Sequence, residues 1–402
     1  MAYPFLARRA ARLPDTLPAD PPETTISFES GHAFPAVMPD LTAAAHRALT
    51  LYRAETLQYG PRMGLPALRA WLAEYCARDG VRITSENVLI TNGAKQAIEL
   101  VCRLLLDEGD SIVVTAPTYY TAIPIFRSYG ISFIEVGQDA DGLNVDELVD
   151  RIAQLKREGK RLPKFIYNVP DFHNPTGVTM SLERRRGLID LAVRERIFIV
   201  EDSPYRVIRY QGEPVPPLKS LDPSDVVFHI GTFSKLLTPG IRIGWVSASP
   251  GMVARLAQLK ADGGSSPLAQ RILLEYCAAG ELAAHTRRVQ TTYRVHRDRM
   301  VASLREHMPQ VSVDVPSGGY YLWLNLPPDV DGDQFSMRAA DAGVSVLGPS
   351  RCYALPDAGH PKNNVRAAFT HATPEEIDQG VRRLARALKP RSSGRTAAVA
   401  VR

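Results

Sequence analysis

Between about residue 84 and residue 249 the chain alternates short apolar runs with longer amphipathic stretches. The runs fall at 88–91, 111–115, 132–136, 165–169, 197–200, 226–230 and 244–248. Each has the length of a strand, and their near-continuous apolar character fits strands covered on both faces. Between them the pattern predicts helices over 95–107, 119–129, 145–158 and 182–195, the last introduced by Ser181 at the N-cap position. Strand and helix in alternation require crossover connections, so the expected architecture is α/β, with a mostly parallel seven-stranded sheet flanked by helices. Such sheets bind ligands beyond the carboxyl ends of their strands.

After about residue 292 the texture changes. A helix is expected over 293–306, β-rich segments over 311–315 and 320–326, a helix over 334–342, strands over 344–347 and 366–370, and a closing helix over 374–388. This reads as a smaller α+β domain. The expected division is 1–50 as an N-terminal arm and part of the small domain, 51–290 as the large ligand-binding domain, 291–388 as the small C-terminal domain and 389–402 as a flexible tail.

Composition narrows the function classes. Of 402 residues 45% are apolar and 23% charged, close to globular averages, which argues against a fibrous or wholly disordered chain. No apolar run approaches the roughly 18 residues of a membrane-spanning helix. The formal charge of +5 resides mostly in the last fourteen residues, where Lys389, Arg391, Arg395 and Arg402 lie; without them basic and acidic residues number 44 and 43. Nucleic acid and membrane are therefore not expected partners. Cys76, Cys102, Cys277 and Cys352 match neither a zinc spacing nor a disulfide framework, so no metal and a cytoplasmic location are expected. Arg8, Arg9 and Arg12 faintly resemble an organelle transit peptide, but the proline cluster at Pro18, Pro21 and Pro22 fits a chain-entry arm better.

Only nine lysines occur, and one has an unusual setting. The strand at 226–230 runs into Gly231-Thr232-Phe233-Ser234-Lys235, followed by Pro239-Gly240-Ile241-Arg242. A lysine just past a strand end, with small hydroxyls before it and an arginine after it, is placed to form an imine beside a clamped phosphate. Arg242 offers a planar bidentate fork, and Thr232 and Ser234 offer short hydroxyl donors. Upstream, Glu201-Asp202 ends a buried strand with acids, and an acid at that depth needs a cationic partner. Asn174, in His173-Asn174-Pro175-Thr176-Gly177, follows the strand at 165–169 in a turn that presents its amide.

Taken together, Asn174-Pro175-Thr176-Gly177, Asp202 with Tyr205, Ser234-Lys235 and Arg242 resemble the pyridoxal-phosphate (PLP) signature of fold-type I enzymes, the aspartate aminotransferase superfamily. The stretches Leu57-Gln58-Tyr59-Gly60, Thr91-Asn92-Gly93-Ala94-Lys95-Gln96 and Ala116-Pro117-Thr118-Tyr119 are most similar to the 2-aminoadipate aminotransferase-like group. The resemblance implies PLP as cofactor, an L-amino acid and a 2-oxo acid as substrates, and a homodimer. It implies that Lys235 is the Schiff-base lysine and general base, that Asp202 holds the pyridinium nitrogen and that Asn174 and Tyr205 bond the phenolic oxygen. Tyr119 would stack on the ring, and Gly93, Ala94 and Lys95, opening a helix, would join Thr232, Ser234 and Arg242 at the phosphate. Tyr59 would reach the phosphate of the neighbouring subunit. Arg366 would hold the substrate α-carboxylate, with Asn174 and Gly31 on the substrate side.

The chain departs from that group where the substrate side of the cofactor is expected. His173 replaces a Gln, Ser203 an Asp, and Tyr320-Tyr321 the usual Met-Phe. The segment around Ser30-Gly31-His32 is altered, and Ala261 to Pro267 is glycine-rich. An alternative reading therefore keeps PLP but uses it for elimination, replacement or cyclisation of an amino acid. A winged-helix regulator is not expected, since only about 25 residues precede the matching region.

Overall fold

A computed structural model of the chain describes residues 24–388, together with Ala7 and Ala10. The expected tail and the basic N-terminal segment lie outside the described residues. The strands are β1 (Ile26–Ser27), β2 (Val88–Thr91), β3 (Ser111–Ala116), β4 (Ser132–Asp139), β5 (Gly142–Leu143), β6 (Phe165–Asn168), β7 (Phe198–Asp202), β8 (Val227–Thr232), β9 (Gly244–Ser247), β10 (Ser312–Val313), β11 (Tyr321–Asn325), β12 (Val344–Ser345) and β13 (Asn364–Ala368).

The large sheet has the order β2-β9-β8-β7-β6-β3-β4-β5. All seven expected strands are in it; the eighth, β5, is a two-residue addition pairing antiparallel with the end of β4. β9 runs antiparallel to both β8 and β2, and the joins from β4 through β8 are parallel. β2 and β8 thus point the same way, so the carboxyl ends of β2, β3, β6, β7 and β8 share one edge. Chain order reverses direction between β3 and β6, which opens a crevice at that edge.

The central strands are buried on both faces because helices cover both. On one side the helices Val145–Arg157 and Leu182–Glu195 pack Leu148, Ile152, Leu188 and Leu191 against Val113, Ile166 and Ile199. Each of these helices starts where its sequence supplies a cap: Asn144 accepts from the Glu147 N–H, and Ser181 from the Arg184 N–H. On the other side the helix Ala94–Leu105 buries Ile98, Val101 and Cys102 against Leu89, Phe228 and Val246.

Three expectations change. The helix expected over 119–129 is confined to Ile123–Ser128, because Pro124 sets its first turn and leaves Tyr119 and Tyr120 in a connecting loop. The helix expected from residue 293 begins at Glu281 and runs to His307, so the expected 290/291 boundary falls inside a continuous helix. Its first three turns carry many polar side chains, which hid the period. The strand expected over 366–370 is displaced to β13, so Arg366 lies in mid-strand, paired with Trp323 of β11.

Candidate active site

One end of the crevice is built where β2 and β8 finish. Gly93 is the N-cap of the helix Ala94–Leu105 and makes no side-chain cap, leaving the first-turn N–H groups free at the positive end of the helix dipole. Its φ of +79° suits glycine, and a Cβ there would lie 2.6 Å from an Arg242 terminal nitrogen. Arg242 donates to the Asn92 carbonyl at 3.0 Å and to Ser234 Oγ at 3.4 Å. The Thr232 and Ser234 hydroxyls are 3.0 Å apart. Lys95 lies beside them, its pKa lowered by burial and by the cations of Arg242 and Lys235. Two hydroxyls, a guanidinium, an ammonium and a helix N-terminus converge on one spot and favour an anion.

Asp202, the last residue of β7, lies in the depth of the same crevice. Its Oδ2 accepts from the Tyr167 hydroxyl at 2.7 Å, but Oδ1 is buried with no partner in the protein. Burial raises its pKa to about 6 although the Tyr167 hydrogen bond opposes the shift. Asn174 is equally incomplete: its Oδ1 accepts from Arg366 at 2.8 Å, while its buried Nδ2 has no acceptor.

Lys235 donates from Nζ to the Gly31 carbonyl at 2.7 Å, with its ammonium 5.2 Å from the Tyr320 ring centre. Burial holds its pKa below the usual lysine range; Tyr321 opposes that shift, and the Arg366 and Arg242 cations add to it. Arg366 is fully buried. It donates to Asn174 and to the Glu29 carbonyl, with its guanidinium over the rings of Tyr120 and Tyr321 at 5.0 and 4.1 Å.

These groups line one cleft of about 380 Å³ that also takes in Gly31, His32, Tyr119, Tyr120, Tyr205 and Tyr321. Of the expected site residues, the structure brings together Lys235, Asp202, Asn174, Tyr205, Tyr119, Thr232, Ser234, Arg242, Ala94, Lys95 and Gly31. Gly93 abuts Arg242 behind them and Arg366 touches Asn174 and Tyr321. Tyr59 stands apart: it is 89% exposed and does not reach the cleft of its own chain. His173 is buried, held by Thr115 and Thr176 at 3.0 Å each, and burial pushes its pKa down to about 3, which makes it a neutral spacer.

Sequence reading passed over Tyr167 and Tyr120, and named His32 only as part of an altered segment. Tyr167 reads as a core strand residue; it reaches the site through register, since β6 neighbours β7, Tyr167 pairs with Val200, and the same-face diagonal from that position is Asp202.

The unpartnered atoms test whether PLP fits. Each costs stability unless a ligand supplies the partner. The buried Asp202 oxygen suits a cationic ring nitrogen, the free Asn174 amide suits an anionic ring oxygen, and the donor cluster suits the phosphate, so the donor set matches PLP at three points.

Comparison with known proteins agrees. The chain matches the family described as aminotransferase class I and II over residues 26–384. It is 35% identical over 390 residues to aromatic-amino-acid aminotransferase 1 of Thermococcus litoralis, covering 96% of this chain and 93% of that protein. It is 33% identical over 371 residues to the 2-aminoadipate transaminase of Thermus thermophilus, covering 90% of each. The crystal structure of kynurenine aminotransferase from Pyrococcus horikoshii, which contains PMP, superposes with a TM-score of 0.89 at 32% identity over 96% of each chain. The chain therefore belongs to the class I and II aminotransferases, PLP-dependent enzymes that move an amino group between an amino acid and a 2-oxo acid.

Proposed function

We propose that this chain carries out that transfer with Lys235 as the covalent lysine and general base, acting in a cleft shared across a homodimer. The observation that carries the assignment is the pairing of ends: the Lys235 amine and the unpartnered Asp202 oxygen face one crevice, with the anion cradle at its rim. Bound PLP supplies an electron sink for negative charge at the substrate Cα. Asp202 would keep a proton on the ring nitrogen. Asn174 Nδ2 and the Tyr205 hydroxyl would hold the ring oxygen, and Tyr119 would cover the ring face. Thr232, Ser234, Arg242 and the N–H groups from Gly93 to Lys95 would bind the phosphate. Arg366 would orient the α-carboxylate, and Lys235, with its burial-lowered pKa, would take and return the Cα proton.

The substrate side chain would lie against Tyr120, Tyr321 and His32. The next guanidinium, Arg351, is engaged by Glu29 at 2.6 Å. An aromatic wall with its outer cation already paired favours an aromatic side chain over a second carboxylate. Loaded enzyme mixed with single amino acids should lose its visible band with aromatic substrates and regain it on addition of a 2-oxo acid. Ammonia release without a need for oxo acid would instead support elimination.

The proposed dimer rests on Tyr59, which is exposed in the single chain and adjoins Leu57, itself 60% exposed. Mixing inactive Lys235→Ala with inactive Tyr59→Asp should yield heterodimers with one doubly defective site and one intact site, so activity partly returns. A fully active monomer by sedimentation, or no recovery after subunit exchange, refutes the shared site. The proposed cytoplasmic location is supported by four buried, unpaired cysteines. Among the described residues no helix is long and apolar enough to cross a membrane.

A further inference from the structure

Tyr321, one of the departures from the family pattern, lines the cleft together with Lys235. It opens β11, and its ring lies under the Arg366 guanidinium, the diagonal neighbour across the β11–β13 pair. Its hydroxyl accepts a 3.3 Å hydrogen bond from the Tyr205 hydroxyl. A Cβ added to Gly31 would fall 2.1 Å from the Tyr321 oxygen and 3.3 Å from Lys235 Nζ. Phenol and amine therefore converge over the same backbone atom, and Gly31 is needed so that they can.

We propose that Tyr321 is a positioning residue for the proton of Lys235: its hydroxyl, oriented by Tyr205, shares with the amine the space over Gly31. The groups facing the pair account for why such a residue is useful. Arg366 from β13 and Arg242 from the turn after β8 both repel a proton on Lys235, as does burial. Tyr321 acts in the opposite direction. In return, burial pushes the Tyr321 phenol upward, but Lys235, Arg366 and the Tyr205 hydrogen bond bring it below the usual tyrosine range. Tyr205 is held well above that range, by burial first and then by Tyr321 and Tyr119. Cys352, from the turn Pro349–Cys352, also faces Tyr321, and His32 faces Lys235; burial keeps the thiol protonated and lowers the imidazole pKa. Tyr320, the residue before β11, turns its hydroxyl to the Lys235 carbonyl and does not compete for the amine. A phenylalanine at 321 keeps the ring under Arg366 and removes only the oxygen.

The inference rests on the active-site reading for its importance but is tested apart from turnover. In the cofactor-free full-length protein, the rate at which an acylating reagent modifies Lys235 is followed against pH by mass spectrometry. Removing a group that favours the ammonium lowers its pKa, so Tyr321→Phe should move the labelling midpoint down by about one pH unit and speed labelling about tenfold at pH values below both midpoints. Gly31→Ala supplies the geometric arm: it should lower the melting temperature of the wild-type protein more than that of Tyr321→Phe, where the clashing oxygen is gone. An unchanged midpoint in Tyr321→Phe, where the wild-type enzyme transfers amino groups, overturns this inference alone. A shifted midpoint in a protein without transfer activity leaves it standing and overturns the function.

Discussion

Lys235→Ala is expected to abolish turnover while leaving a folded protein that binds PLP without a covalent link. The side chain is tied by one hydrogen bond, from Nζ to the Gly31 carbonyl. Losing it costs about 0.5–1.5 kcal/mol, small against the total stability of a domain. The cradle of Thr232, Ser234 and Arg242 and the acid of Asp202 do not depend on the amine. The chemistry does: general base catalysis alone contributes about 10²–10⁴-fold, and the covalent anchorage of the cofactor is lost with it. Borohydride reduction of the wild-type holoenzyme followed by peptide mapping should place the pyridoxyl group on Lys235. The rival is Lys95, also in the cleft with a lowered pKa, but it lies on the first turn of a helix beside Arg242, where its charge serves an anion. Pyridoxyl label on Lys95, or residual turnover in Lys235→Ala near the wild-type rate, would sink the assignment.

The strands and most cofactor-facing residues were legible because both follow from local rules. A strand covered on both faces must be apolar throughout, and the residues just past its carboxyl end face the crevice; hence Asn174, Asp202 and the Thr232 to Lys235 run could be placed from strand ends alone. Side chains that reach the site from distant elements were harder. Tyr167 is a core strand residue by pattern, and only the β6–β7 register shows that its hydroxyl serves Asp202. Tyr321 was visible only as an oddity after two glycines. Its meaning depends on β11 lying beside β13 and on Gly31 crossing above it, contacts that join positions far apart in the chain. The helix Glu281–His307 was half missed because its early turns bury few side chains, Leu282, His285 and Val289, among many exposed polar ones. Tyr59 is the converse case: it is exposed in the single chain, and its proposed role at a phosphate requires a second chain.

Asp202→Asn should keep the fold but cost about 3–5 kcal/mol in the proton-abstraction barrier if, as proposed, it breaks a buried ion pair with the cofactor. That corresponds to a rate loss of roughly 10²–10⁴-fold. The substitution is nearly isosteric, and an amide oxygen can still accept from Tyr167, so packing against β6 is preserved. The electrostatics change sign in a way that pH exposes. Without PLP, burial raises the Asp202 pKa to about 6, above its unfolded value. A carboxyl shifted upward gives stability that is fully present below the unfolded pKa and is lost as pH rises through about 6. The cofactor-free wild type should therefore become less stable across that window relative to Asp202→Asn, whose side chain does not titrate. A cationic ring nitrogen reverses the balance, since it favours the carboxylate; wild-type affinity for PLP should fall as pH drops through about 6, after subtraction of the same titration in Asp202→Asn, which shares the phosphate's own ionisation. Thermal melts of both cofactor-free proteins from pH 4 to pH 8, with PLP titrations over the same range, read the two effects separately. Parallel stability curves for the two proteins would mean that the carboxyl is not held up by burial, and near-normal turnover in Asp202→Asn would mean that another acid serves the ring nitrogen.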